Sequence, residues 1–70
     1  MSAEQMAKLV MMANQIATSF DTQGGDPATL TAAHIKSFWA PTMRKMIVGH
    51  LAGGGTDLTP TAQAAVRKLA

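Results

Sequence analysis

Prolines at positions 27, 41 and 60 divide this 70-residue chain into short segments. Each one disfavours the α conformation in the residue before it, lacks the N–H that a helix interior needs, and suits the first turn of a new helix. The chain must therefore fold as short elements joined at corners. Composition says which kind of element. Apolar residues make up 47% of the chain, yet its aromatics are one tryptophan and two phenylalanines. A core built from aliphatic, methionine and alanine side chains favours helices over a sheet.

The expected fold is all-α: one small compact bundle of three to four short helices, about 3–20, 27–39, 41–52 and 60–69, in a single domain spanning 1–70. Ser2 followed by Gln5 reads as a capping box, after which Met6, Leu9, Val10, Ala13, Ile16, Ala17 and Phe20 recur at helical spacing. Gly24 and Gly25 mark a loop, with Asp26 as N-cap and Pro27 at the first helical position. The second helix is expected to turn Leu30, His34, Ile35 and Phe38 inward, with Trp39 on the flank, and to stop before Pro41. The third would bury Met43, Met46, Ile47, His50 and Leu51, and end at Gly53-Gly54-Gly55. The fourth has only Ala62, Val66 and Leu69 on its apolar side and is expected to fray.

Several function classes lack their residues. The chain has no cysteine, which removes disulfides and thiolate metal sites and fits the reducing cytoplasm, the expected location. The N-terminus has no secretory signature, and no apolar run approaches the ~18 residues of a membrane span, so no membrane partner is expected. The formal charge of +2 is spread as Lys8, Lys36, Arg44, Lys45, Arg67 and Lys68 over four elements. A helix–turn–helix nucleic-acid binder, one alternative, would gather such residues on a single recognition helix. His34 and His50 are the only imidazoles and have no acidic cluster beside them, too few ligands for a metal. His34, between Leu30 and Phe38 on the helical wheel, reads as a core-edge histidine. Gly53-Gly54-Gly55-Thr56 lacks the lysine of a phosphate loop, and Asp21 to Asp26 lacks the ligand count of a calcium loop. No serine, threonine or lysine is paired with an activating base. Catalytic, cofactor-binding and metal residues are therefore expected to be none.

What remains is surface. Met11, Asn14 and Gln15 fall outside the first helix's core stripe, where a methionine suits an irregular interface and the two amides can bond a partner's backbone. Trp39 stands at the Pro41 corner with Arg44 and Lys45 a turn further on. Tryptophan and arginine are enriched at interface hot spots. The corner is expected to offer one face of the Trp39 ring outward and to aim Arg44 at a partner's carboxylate. Another alternative is a self-associating protein that buries Met11 and Trp39 in a symmetric homodimer.

Read in order, Met12-Ala13-Asn14-Gln15-Ile16, His34-Ile35, Phe38-Trp39, Pro41, Met43-Arg44, His50-Leu51 and Leu58 before Pro60 resemble the delta subunit of NAD-dependent formate dehydrogenase over nearly the whole chain. The residues matching this pattern are Asn14, Gln15, His34, Trp39, Pro41 and Arg44; apart from Pro41, which sets the corner, these join Met11 and Lys45 as the seven residues expected at a partner interface. Family members often carry a basic residue where this chain has Met11. The resemblance implies a small non-catalytic accessory protein of the cytoplasmic molybdenum or tungsten enzymes. Its partners would be the catalytic and associated subunits, which hold bis-molybdopterin guanine dinucleotide, iron–sulfur clusters, flavin and the NAD site. The chain itself would carry no cofactor and assist maturation or stability of the complex. Purified alone, it is expected to contain no stoichiometric metal, flavin or pterin. Elemental analysis and an absorption spectrum check this, and a reproducible one-to-one metal content would overturn the accessory reading.

Overall fold

The computed structural model describes residues 3–70. Ser2, on which the expected capping box rests, lies outside them. Four helices follow in order: α1 (Ala3–Asp21), α2 (Pro27–Phe38), α3 (Pro41–Ala52) and α4 (Pro60–Leu69), with no strand among the described residues.

Each helix start and stop has a local cause. Asp26 caps α2: its carboxylate accepts from the Thr29 hydroxyl at 2.7 Å and from the Thr29 N–H at 3.3 Å. Those two bonds hold the Asp26 carboxyl below its ordinary pKa, the hydroxyl contributing most. A carboxyl depressed in the folded state supports folding above its unfolded pKa, and that support is lost as pH falls through the folded one. At the α2–α3 corner Trp39 and Ala40 are extended, Ala40 as the conformation that a following proline favours. Helix α3 closes in a Schellman motif, with Gly54 N–H bonding the Leu51 carbonyl and Gly55 N–H that of His50. Gly54 and Gly55 both have positive φ there, and a Cβ on Gly55 would come within 2.9 Å of Leu51 Cδ1. Thr59 then caps α4 through the Ala62 N–H.

One core joins all four helices: Leu9, Val10, Ala13 and Ala17 of α1, Ile35 with Trp39, Ile47 of α3, Leu58, and Ala62 with Val66 of α4. Helix α4 packs against each of the other three, most extensively against α2. The expectation that it frays is therefore corrected. Ala62, Ala65 and Val66 are fully buried, and a short helix of small side chains sits at the centre because small side chains allow close approach.

The second correction concerns α2. Its buried residues are Thr31, Ala32 and Ile35, whereas Leu30 and Phe38 are exposed and His34 is half-buried. The helix is rotated from the expected phase so that its small face, not its bulky one, is buried. Trp39 lies inside the core and is 5% exposed rather than on the flank. Helix α3 follows expectation more closely, with Ile47 fully buried and Met43, Met46 and Leu51 packed around it.

Thr31 buries a hydroxyl that has no hydrogen-bond partner. An unsatisfied buried polar group costs roughly 1–3 kcal/mol. Thr31→Val, similar in volume, is expected to stabilise the chain by about 1 kcal/mol, or roughly 4–8 °C in thermal midpoint for a domain this small. Calorimetry checks it, and an unchanged or lower midpoint would show that the hydroxyl is satisfied.

Candidate docking surface

The seven residues singled out for a partner fall into three places, and much of their polar capacity is used inside the molecule. Asn14 is a strut. Its Nδ2 donates to the Asp57 carbonyl at 2.8 Å and its Oδ1 accepts from the Thr59 N–H at 2.9 Å. Both amide ends thus hold the loop that delivers the chain to α4. Asp57 has positive φ in that loop, the one non-glycine residue among those described that does. His50 contributes on the other side: Thr56's carbonyl can only accept, so the 2.8 Å contact assigns a hydrogen to Nε2.

At the corner, Arg44 Nη1 donates to the Trp39 carbonyl at 2.8 Å and to the Lys36 carbonyl at 3.3 Å. These oxygens belong to the end of α2, where a helix leaves carbonyls without internal partners and a cation is favoured. Through Nη1, Arg44 therefore clamps α3 to α2. With Trp39 5% exposed, the expected outward ring at this corner is corrected. Lys45 is exposed beside Pro41.

Met11 and Gln15 are exposed on α1, Met11 to 54%. They border an open groove of about 870 Å³ between that flank of α1 and the loop carrying Thr56 and Asp57. The groove's Asn14 and His50 are the internal struts just described.

His34 belongs to a third place. Its ring lies 4.5 Å from Phe38, tilted by 35°, and 6.3 Å from Phe20 of α1, edge to face at 64°. Such separations and angles are those in which aromatic rings attract. Phe38, at the end of this stack, is 74% exposed. Leu30 lies one turn before His34 on the same side of α2, and Met12 and Ile16 precede Phe20 at four-residue spacing on α1. Leu30 and Met12 are also exposed, so three of the four exposed large apolar side chains flank the α1–α2 seam. Leu30 and Phe38 escaped notice as surface residues because their spacing is equally that of a core stripe. The competing stripe of Thr31, Ala32 and Ile35 was present in the sequence, but its residues are small.

Among the described residues no group of three or more histidine, cysteine, aspartate or glutamate side chains could hold a metal, and no helix is long and apolar enough to cross a membrane. A four-helix unit whose polar side chains staple its own loops, with Leu30, Phe38 and Met12 left exposed, defines a small all-α protein. Residues 8–66 match the model of the family described as NADH-dependent formate dehydrogenase delta subunit FdsD, and the chain belongs to that family. No curated protein and no solved structure matches it.

The assignment of Asn14 as a strut makes a direct prediction. Asn14→Ala would leave the Thr59 N–H and Asp57 carbonyl without their partner, so the variant is expected to lose about 1–2 kcal/mol of stability. Thermal denaturation checks this, and hydrogen exchange should quicken first in residues 56–61. An unchanged midpoint would remove Asn14 from the scaffold.

Proposed function

We propose that this chain is a non-catalytic accessory subunit that binds the molybdenum- or tungsten-dependent, NAD-linked formate dehydrogenase in the cytoplasm and supports its maturation or stability. Membership of the delta-subunit family supplies the context. The observation that carries the reading is Phe38. A phenylalanine left 74% exposed, with its ring 4.5 Å from that of His34, presents apolar surface that the fold itself does not bury. Bis-molybdopterin guanine dinucleotide, iron–sulfur clusters, flavin and the NAD site then belong to the partner subunits. This chain's part is to cover and brace one of their surfaces. Its internal stapling suits that part, since a preformed docking face loses little conformational entropy on binding.

The test is recovery of a tagged copy from its native cell. The large co-purifying chains are expected to be formate dehydrogenase subunits, and deletion of the chain is expected to lower the amount of intact, cofactor-loaded complex. A tagged chain that emerges alone from cells rich in active dehydrogenase, together with unchanged complex after deletion, would overturn the proposal.

A further inference from the structure

The outer face of α3 carries unpaired positive charge over apolar walls. We infer that the groove between α3 and the last turn of α4 receives an acidic segment of a larger formate dehydrogenase subunit, one that sets carboxylates beside apolar side chains. This rests on the proposed function and names the chemistry of one contact.

The groove is built from one side of α3. Pro41, Arg44, Lys45, Val48 and Gly49 share a helical face, and Leu69 of α4 forms the opposite wall of an open groove of about 430 Å³. That face runs about 12 Å along the helix at roughly 1.5 Å per residue. Val48 and Leu69 pack against the core, so the apolar walls are fixed in place. Gly49 gives the groove its depth. A glycine inside a helix is costly in backbone entropy, and nothing in the fold calls for one here, since a Cβ at position 49 would meet no atom within 4 Å. The missing side chain leaves room for another chain to come close to α3.

Arg44 and Lys45 give the groove its charge. Arg44 is held at Nη1 by the Trp39 and Lys36 carbonyls, while the N–H groups of Nε and Nη2 have no partner among the described residues. Lys45 has neither hydrogen bond nor ion pair among them. Lys36, whose carbonyl Arg44 holds, and Arg67, two residues before Leu69, bring further positive charge to the same end of the bundle. No carboxylate of the chain lines the groove. A guanidinium fixed at one nitrogen and free along its other edge, beside an ammonium, fits a pair of carboxylates. The apolar walls fit the side chains around that pair, whereas a phosphate backbone would leave them uncovered.

A second copy is a poor source of that segment. The chain's carboxylates are Glu4, Asp21, Asp26 and Asp57. Asp21 accepts from Thr61 and Asp26 from Thr29, Glu4 has Lys8 one turn on, and Asp57 has no acidic neighbour in sequence. No stretch of the chain therefore offers two free carboxylates together. Two copies, each with a formal charge of +2, also repel. Charge complementarity points to a different chain.

The experiment measures retention on immobilised formate dehydrogenase complex prepared without its delta subunit. Lys45→Glu is expected to bind at least about tenfold more weakly with an unchanged thermal midpoint, because the side chain makes no bond within the fold. Gly49→Gln fills the groove with a better helix former and is expected to raise the midpoint while weakening binding as much. Lys8→Glu makes the same charge change on α1 and is expected to bind like the parent. A carbodiimide, which condenses an amine with a carboxylate by loss of water, should join Lys45 to a large-subunit peptide that carries a second carboxylate and apolar residues nearby. Failure of the parent chain to bind sinks the proposed function itself. A parent that binds, with Lys45→Glu and Gly49→Gln binding equally well, overturns this inference alone. So does equal weakening by Lys8→Glu, which would assign the effect to overall charge, or a link from Lys45 to a second copy of the chain.

Discussion

The contact between α2 and α4 is the constraint from which the remaining architecture follows. Helix α4 has ten residues and little apolar mass, and it contributes by being thin where it is buried: Ala62 and Ala65 have no exposed surface. A thin helix can sit close to three neighbours at once, so the apolar surfaces of α1, α2 and α3 converge on it. Its most extensive association is with α2, whose buried face includes the small residues Thr31 and Ala32. Once that face of α2 is committed, geometry leaves no choice for its bulky row. Leu30, His34 and Phe38 must lie toward α1 and solvent. The exposed strip is thus a consequence of how the core is packed, and it is held in place by the same contact that stabilises the fold.

Polar side chains fasten what packing alone leaves loose. The connection from α3 to α4 carries glycines and a left-handed aspartate, and its one side chain in the core is Leu58. Asn14 and His50 hold it from opposite ends through backbone atoms. Arg44 does the same for the Pro41 corner by donating to carbonyls at the C-terminal end of α2. Amides and guanidinium groups are useful at interfaces for the same reason that they are useful here, namely directional hydrogen bonds to carbonyls. Residue type alone cannot distinguish the two uses. Position relative to a helix end can.

These features give a delta subunit that is rigid where it supports itself and apolar where it faces outward. The backbone of α1 and α2 is satisfied within the helices, so the exposed Leu30, Phe38 and Met12 side chains offer apolar surface with few directional bonds.

The sequence by itself determined the local structure. Asp26 before Pro27, the Ala40-Pro41 pair, Thr59 before Pro60 and the run of three glycines specify where helices begin and end, because capping and proline geometry act over a few residues. Exposure of Met11 was legible for a similar reason: α1 has one broad apolar stripe, and Met11 lies opposite it. Family membership was legible in the order of short motifs. The tertiary structure decided which of two possible faces of α2 turned inward, whether Trp39 lay inside or outside the corner, and whether α4 stood at the margin or the centre. Those outcomes depend on the distance between helices, which is set by the small residues on both partners together and appears in neither segment alone.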